Sequence, residues 1–312
     1  MRPSAILIGL LAGFATALLF AGVVVQSSLA IFLSLAAPLP IIIASLGWGS
    51  PIGFLAALAA GGGLGVVTGS TMSGALLFAS IALPAAVVGH IAGLARPVAS
   101  DAAGNPALDW FPVPRILLGI ALVAILACTF TGWLVGYDPV AVGNELGEMF
   151  ASQVGENEAA RTQLQEFARQ VVRIIPFLQP ALLTLVLATS LYLGGAITRL
   201  SGKLARPRDD IPATAGSLPK LALPLFGLAL AASFAPGAVG MIGAVATGSL
   251  GMAFTLSGLA AIHRMTRATR SRGLILFALY MSILFLTFPL VVATVLGLSE
   301  TAKRRPAPPS IN

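Results

Sequence analysis

Between residues 221 and 262 the chain carries no charged side chain. A membrane-spanning helix needs about 20 mostly apolar residues, because the hydrocarbon layer is about 30 Å thick and a helix rises about 1.5 Å per residue. This run is long enough for two such helices, and Pro236-Gly237 near its middle supplies a turn signal. It therefore reads as a tight pair of spans. Further uncharged apolar runs cover residues 5–25, 29–48, 52–68, 72–94, 116–135, 177–198 and 273–298. Every Asp, Glu, Lys and Arg falls outside these segments. With 57% hydrophobic and 9% charged residues, against about 25% charged in an average soluble domain, no polar surface could cover the chain. The expected fold is an all-α polytopic membrane protein with about nine transmembrane helices. It forms a single integral membrane domain over residues 1–312, and eight spans stand as the alternative.

Orientation follows from Arg264, Arg267, Arg270 and Arg272, a cluster with no acid between His263 and Arg272. Lys and Arg near span ends resist translocation, so this loop is assigned to the cytoplasm. The amino terminus with Arg2, the polar loop 96–115 and the basic loop 199–220 then lie inside as well. Trp110 fits an inner interfacial anchor, and Trp133 with Tyr137 an outer one. A signal peptide is the rival reading of residues 5–25, but that run exceeds the usual roughly 7 to 15 apolar residues.

Residues 138–175 differ in kind. They carry Asp138, Glu145, Glu148, Glu156, Glu158 and Glu166 against Arg161, Arg169 and Arg173. Two amphipathic helices are predicted there, one through Val142, Leu146, Met149 and Val154, the other through Ala160, Leu164, Phe167 and Val171, with Gly155 between them. This acidic insertion is assigned to the outside, as a cap on the bundle or on the membrane surface. One group conflicts with nine spans: Lys303, Arg304 and Arg305 fall outside. They return inside only if the last apolar run is a re-entrant hairpin, for which Pro289 is the candidate hinge. Residues 299–312 read as a polar, disordered tail.

Proline and glycine punctuate the runs. Pro38 and Pro40 are expected to bend the second span, Gly61-Gly62-Gly63 and Gly65 mark close helix contact or a break in the third, and Pro84 lies in mid-course of the fourth. On the first span Ala5, Gly9, Gly13, Ala17 and Ala21 recur every four residues. Such a small-residue face lets a second helix approach closely in lipid, within this chain or from a membrane protein partner. A similar pattern runs through Gly240, Ala244 and Gly248, or Gly243, Thr247 and Gly251.

The net charge of +7 sits in span-flanking loops, which points to anionic lipid headgroups in the bilayer and not to nucleic acid. Uncharged spans disfavour a proton-driven transporter, whereas sodium sites built from carbonyls and hydroxyls stay open. His90 and His263 both lie near inner span ends, yet two imidazoles without a nearby thiol or carboxylate make a poor zinc site. Cys128 reads as a packing residue. No H-E-x-x-H, phosphate-binding loop or G-x-S-x-G occurs, so no catalytic, cofactor or metal site is expected and the chain is not read as an enzyme. Ser190 and Tyr192 are a candidate pocket pair, with helix-to-helix hydrogen bonding as the plainer reading.

The run Ser257, Gly258, Leu259, Ala260, Ala261, Ile262, followed by the arginine block and residues 274–298, resembles the carboxy-terminal signature of the YybS-like predicted membrane proteins. In that signature a glutamine stands at the position of Ser257 and a valine at that of Ala261. Pro38-Leu39-Pro40-Ile41, Leu46-Gly47-Trp48-Gly49, Pro51 and Gly53 are more loosely similar to the substrate-binding subunits of energy-coupling-factor transporters and to MreD. The resemblance implies a bacterial inner-membrane protein serving as a non-catalytic substrate-binding or transport-associated subunit coupled to another protein's ATPase; loop charge puts its amino terminus in the cytoplasm. A structural or assembly protein of the cell envelope is the second expectation.

Overall fold

The structure is a computed structural model that describes residues 3–24, 32–98, 107–153 and 158–303. In chain order it contains α1 (Pro3–Val24), α2 (Pro38–Trp48), α3 (Ser50–Thr68), α4 (Thr71–Ala92), a hairpin of β1 (Ala95–Val98) and β2 (Ala107–Trp110), then α5 (Val113–Leu134) and α6 (Pro139–Ala151). There follow α7 (Glu158–Leu200), α8 (Ile211–Thr214), α9 (Ala222–Ala232), α10 (Gly237–Met265), α11 (Arg272–Phe285) and α12 (Phe288–Ala302). Six of these helices, α1, α3, α4, α5, α7 and α10, are long and apolar enough to cross a membrane. The protein is an all-α multi-pass membrane protein. The expected count of nine is not reached on length alone, because α2 and α9 have 11 residues each and the last apolar run is broken.

That break lies at Leu286, whose backbone is extended, and the chain bends there by 119° between α11 and α12. Proline cannot follow a helical carbonyl four residues back without a clash, and Pro289 would strike the carbonyl of Phe285. The helix therefore stops at Phe285 and restarts with Pro289 in its first turn, so the hinge lies just before the expected residue. At 14 and 15 residues, α11 and α12 reach only about 21–22 Å each. α12 runs parallel to α10: Thr255 Oγ1 is 2.7 Å from Thr294 Oγ1, and Arg264 donates to Glu300 at 2.6 Å. The pair thus leaves from and returns to the same end of the bundle. The helix also continues through Ala302, so residues 299–302 are not a disordered tail; residues 304–312 lie outside the described residues.

The small-residue face of α1 is filled from within the chain. Gly9 abuts Ile52 and Leu55, and Gly13 lies against Ala56, Ala59 and Ala60 of α3, while Leu7, Leu11 and Leu18 on the opposite face are exposed. Thr16 donates to the Ala37 carbonyl at 2.8 Å where the chain enters α2. A single residue, Gly49, joins α2 to α3 at φ 96, a backbone that a side chain would strain. In α4 a π-turn over Phe78–Ala82 precedes Pro84, widening the helix where the ring would meet the preceding turn.

Two apolar clusters form the interior. One is built on α1 to α4 with Ile116, Ile120 and Leu187; the other joins α5, α9 and α10 through Leu117, Ala121, Leu250 and Phe254. The polar loop 96–115 contains the unexpected hairpin, with Ala95 opposite Trp110 and Arg96 opposite Asp109.

The acidic insertion also differs from expectation. Its second amphipathic helix and the sixth span are one continuous helix, α7, of 43 residues, roughly 64 Å long. Asp138 caps α6 by accepting from Val140 N at 2.8 Å. α6 then lies along α7 through Gly143 against Arg169 and Gly147 against Gln165. Its seam is Gly143, Gly147 and Ala151, and not the predicted stripe, since Met149 is exposed. In the part of α7 that belongs to the insertion, Ala168 and Val172 are buried, whereas Phe167 and Val171 are exposed. Val154 and Gly155 lie outside the described residues.

Candidate functional site

α7 carries Pro176 and Pro180 one helical turn apart. Each lacks an N–H, so the carbonyls of Val172 and Pro176 lose their helical donors. Tyr137 replaces one of them: its hydroxyl donates to the Val172 carbonyl at 3.2 Å. A cavity of about 100 Å³ opens beside this weakened stretch. It is walled by Cys128, Thr131 and Gly132 of α5, by Pro176 and Gln179 of α7, and by Met241 and Val245 of α10. The hydroxyl oxygens of Thr129 and Thr131 are buried there without a hydrogen-bond partner. A buried polar atom left unpaired costs roughly 1–3 kcal/mol, which a polar group reaching these hydroxyls would recover.

One turn deeper the cavity floor meets a chain of oxygens. Thr184 Oγ1 lies 2.8 Å from the Pro180 carbonyl and 2.7 Å from Ser249 Oγ, which lies 2.8 Å from the Ala121 carbonyl. Both side chains are fully buried. Three short contacts share two hydroxyl protons, so the network always leaves one oxygen pair without a hydrogen between them. This junction ties α5, α7 and α10 together at the level of the cavity.

Ser190 and Tyr192 do not form the expected pocket. Ser190 is buried, whereas Tyr192 is 59% exposed; residues two apart on a helix point to different faces, and neither lines the cavity. The residues that do were legible only as the spacing Pro176, Gln179, Pro180 at the edge of the sixth span.

The opposite end of the bundle is basic. Arg206 is buried, donates to Asp209 at 2.6 Å and to the Ala92 carbonyl at 3.2 Å, and lies 5.9 Å over the Trp110 ring. Arg264 pairs with Glu300 and Arg267 with Asp210. The Arg267 guanidinium hydrogen-bonded to Asp210 holds that carboxyl below its ordinary range. Arg270 and Arg272 of the same block have no acid partner among the described residues. The two histidines stay apart: His90 Nδ1 meets Ser50 Oγ at 2.8 Å, and His263 Nε2 meets Tyr280 Oη at 2.8 Å. Among the described residues no group of three or more His, Cys, Asp or Glu could hold a metal.

No family model, no curated protein and no solved structure matches the chain.

Proposed function

We propose that the protein is a bacterial inner-membrane subunit with a non-catalytic, substrate-binding or transport-associated role, whose ligand enters the cavity beside Pro176 and Pro180. The observation that carries this reading is that Thr129 and Thr131, whose buried hydroxyls have no hydrogen-bond partner, line the cavity beside Pro176 and Pro180. Irregular helix within a membrane is tolerated where it lines a cavity, and freed carbonyls then bind small polar or ionic ligands. At about 100 Å³ the cavity suits an ion or a very small solute, not a vitamin-sized molecule.

Charge distribution supports the orientation. Asp138, Glu145, Glu148 and Glu158 belong to the cavity end, and Arg115, Arg206, Arg264 and Lys303 to the other, which we assign to the cytoplasm. In this reading both termini are cytoplasmic, and the bundle crosses eight times with α11 and α12 as a re-entrant pair. The return of α12 to Arg264 removes the conflict posed by Lys303.

Thermal melting of the full chain in lipid nanodiscs, scanned against sodium, potassium and small neutral solutes, tests the function. A ligand that stabilises the protein, and no longer does so in Thr131→Val or Gln179→Leu, supports it. No shift with any of them, in a protein that melts cooperatively, overturns it. A second reading, an envelope assembly protein, rests on the exposed Phe167 and Ile174 of α7 beyond the span. Co-purification of an envelope protein that is lost on Phe167→Ser with Ile174→Ser would favour it.

A further inference from the structure

At the basic end, well away from the cavity, a groove of about 370 Å³ runs between the end of α4, the first turns of α5 and the approach to α9. Its lining is apolar, with Ile91, Leu94, Phe111, Leu118 and Leu122, except for one side chain, Arg115. Arg115 is exposed, and its guanidinium has neither a hydrogen bond nor an ion pair among the described residues. Its setting makes that unusual. Arg96, Arg206, Arg264 and Arg267 at the same end are each matched to an acid. A cation in the first turn of a helix also opposes the helix dipole, and no acid among the described residues compensates it.

A second unmatched cation borders the same groove. Lys220 is exposed, has no acid partner among the described residues, and stands between Pro219 and Leu221, both of which line the groove. Asp109 of the hairpin is already taken by Arg96 at 2.7 Å. The groove therefore offers a positive mouth and an apolar channel. Leu118 and Leu122 carry that channel roughly 5 and 10 Å along the axis of α5 from Arg115. Its floor is kept low by Gly119, where an added Cβ would make ordinary contact with Ile91 and any longer side chain would project into the channel.

We propose that this groove is a binding site for one anionic phospholipid of the leaflet at the basic end. Arg115 and Lys220 take the phosphodiester headgroup, and an acyl chain lies over Gly119 along Leu118 and Leu122. The acidic headgroup is what distinguishes this occupant from an ordinary boundary lipid, since a zwitterionic lipid would leave the two cations uncompensated. A free phosphate lacks the chain that fills the apolar channel.

Native mass spectrometry of the full chain, purified in mild detergent and titrated with phosphatidylglycerol or phosphatidylcholine, tests this. The wild type should retain one phosphatidylglycerol in clear preference to phosphatidylcholine. Arg115→Gln and Lys220→Gln should each weaken retention about fivefold, the effect of one basic residue at a lipid surface. Gly119→Leu should abolish retention with both charges intact, and Arg270→Gln, an unpaired arginine outside the groove, should change nothing. Melting temperatures of the variants distinguish loss of the site from loss of the fold. Equal retention of the two lipids, equal loss with Arg270→Gln, or displacement of phosphatidylglycerol by millimolar inorganic phosphate would each overturn the proposal.

Discussion

Gly258 of α10 and Gly297 of α12 lie backbone to backbone. A Cβ on Gly258 would overlap the carbonyl oxygen of Ala293, and one on Gly297 would overlap that of Phe254. In lipid, helices associate through close packing and not through water exclusion, so this contact is what holds the returning helix α12 against the bundle. Thr255 with Thr294, and Arg264 with Glu300, extend the same seam in both directions.

Substituting either glycine should undock the hairpin. Gly258→Val or Gly297→Val is expected to cost about 1–3 kcal/mol, the usual range for forcing extra methylenes into a packed site. Gly62→Ala, where an added Cβ meets nothing within 4 Å, should instead be neutral or gain up to about 1 kcal/mol from helix propensity. Thermal unfolding in detergent compares the three, and a Gly258→Val protein as stable as Gly62→Ala would refute the packing argument.

The buried oxygens at Thr184 and Ser249 should be energetically coupled. A double-mutant cycle with Thr184→Val and Ser249→Ala is expected to return about 0.6 kcal/mol and at most about 1.7, the range for side-chain hydrogen bonds between membrane helices. Zero coupling in a denaturant titration would mean that each hydroxyl serves only its own carbonyl, Pro180 for one and Ala121 for the other.

Acid should release the loop that carries Asp210. Its pKa is depressed in the folded protein, chiefly by the hydrogen bond from Arg267. A depressed carboxyl contributes stability above its unfolded value of roughly 3.9 and loses that contribution as pH falls through the lower folded value. Asp210→Asn should therefore melt below the wild type at neutral pH, and the two curves should converge at the acid end. The pair is exposed, so the gap should also shrink in high salt. A gap that persists below the folded pKa would show that Asp210 does not act through its charge.

The path of the last apolar run can be checked by labelling. In a Cys128→Ser background, Lys303→Cys and Arg270→Cys should react with an impermeant reagent from the same side of sealed vesicles, and Glu148→Cys from the other. Lys303→Cys labelling together with Glu148→Cys would restore a single ninth span.

What the sequence determined by itself was membrane residence and the sorting of charge. Hydropathy over 20 residues is a local sum, and uncharged runs such as residues 116–135 need no tertiary information to be read. The small-residue stripe Ala5, Gly9, Gly13 was legible for the same reason, although its partner, α3, was not. The tertiary structure decided everything that depends on residues far apart meeting. Phe285 and Pro289 set where the last run breaks, but only the docking of Gly297 on Gly258 decides that it folds back to Arg264. The cavity draws on α5, α7 and α10, segments far apart in the chain, and the unpaired hydroxyls in its lining belong to Thr129 and Thr131, which look in sequence like any threonine in a span. Ser190 is buried and Tyr192 exposed, a difference that the helix periodicity of about 100° per residue sets only once the neighbours of α7 are in place. Helix length and side are properties of one segment, whereas a binding site is a property of the space left between several.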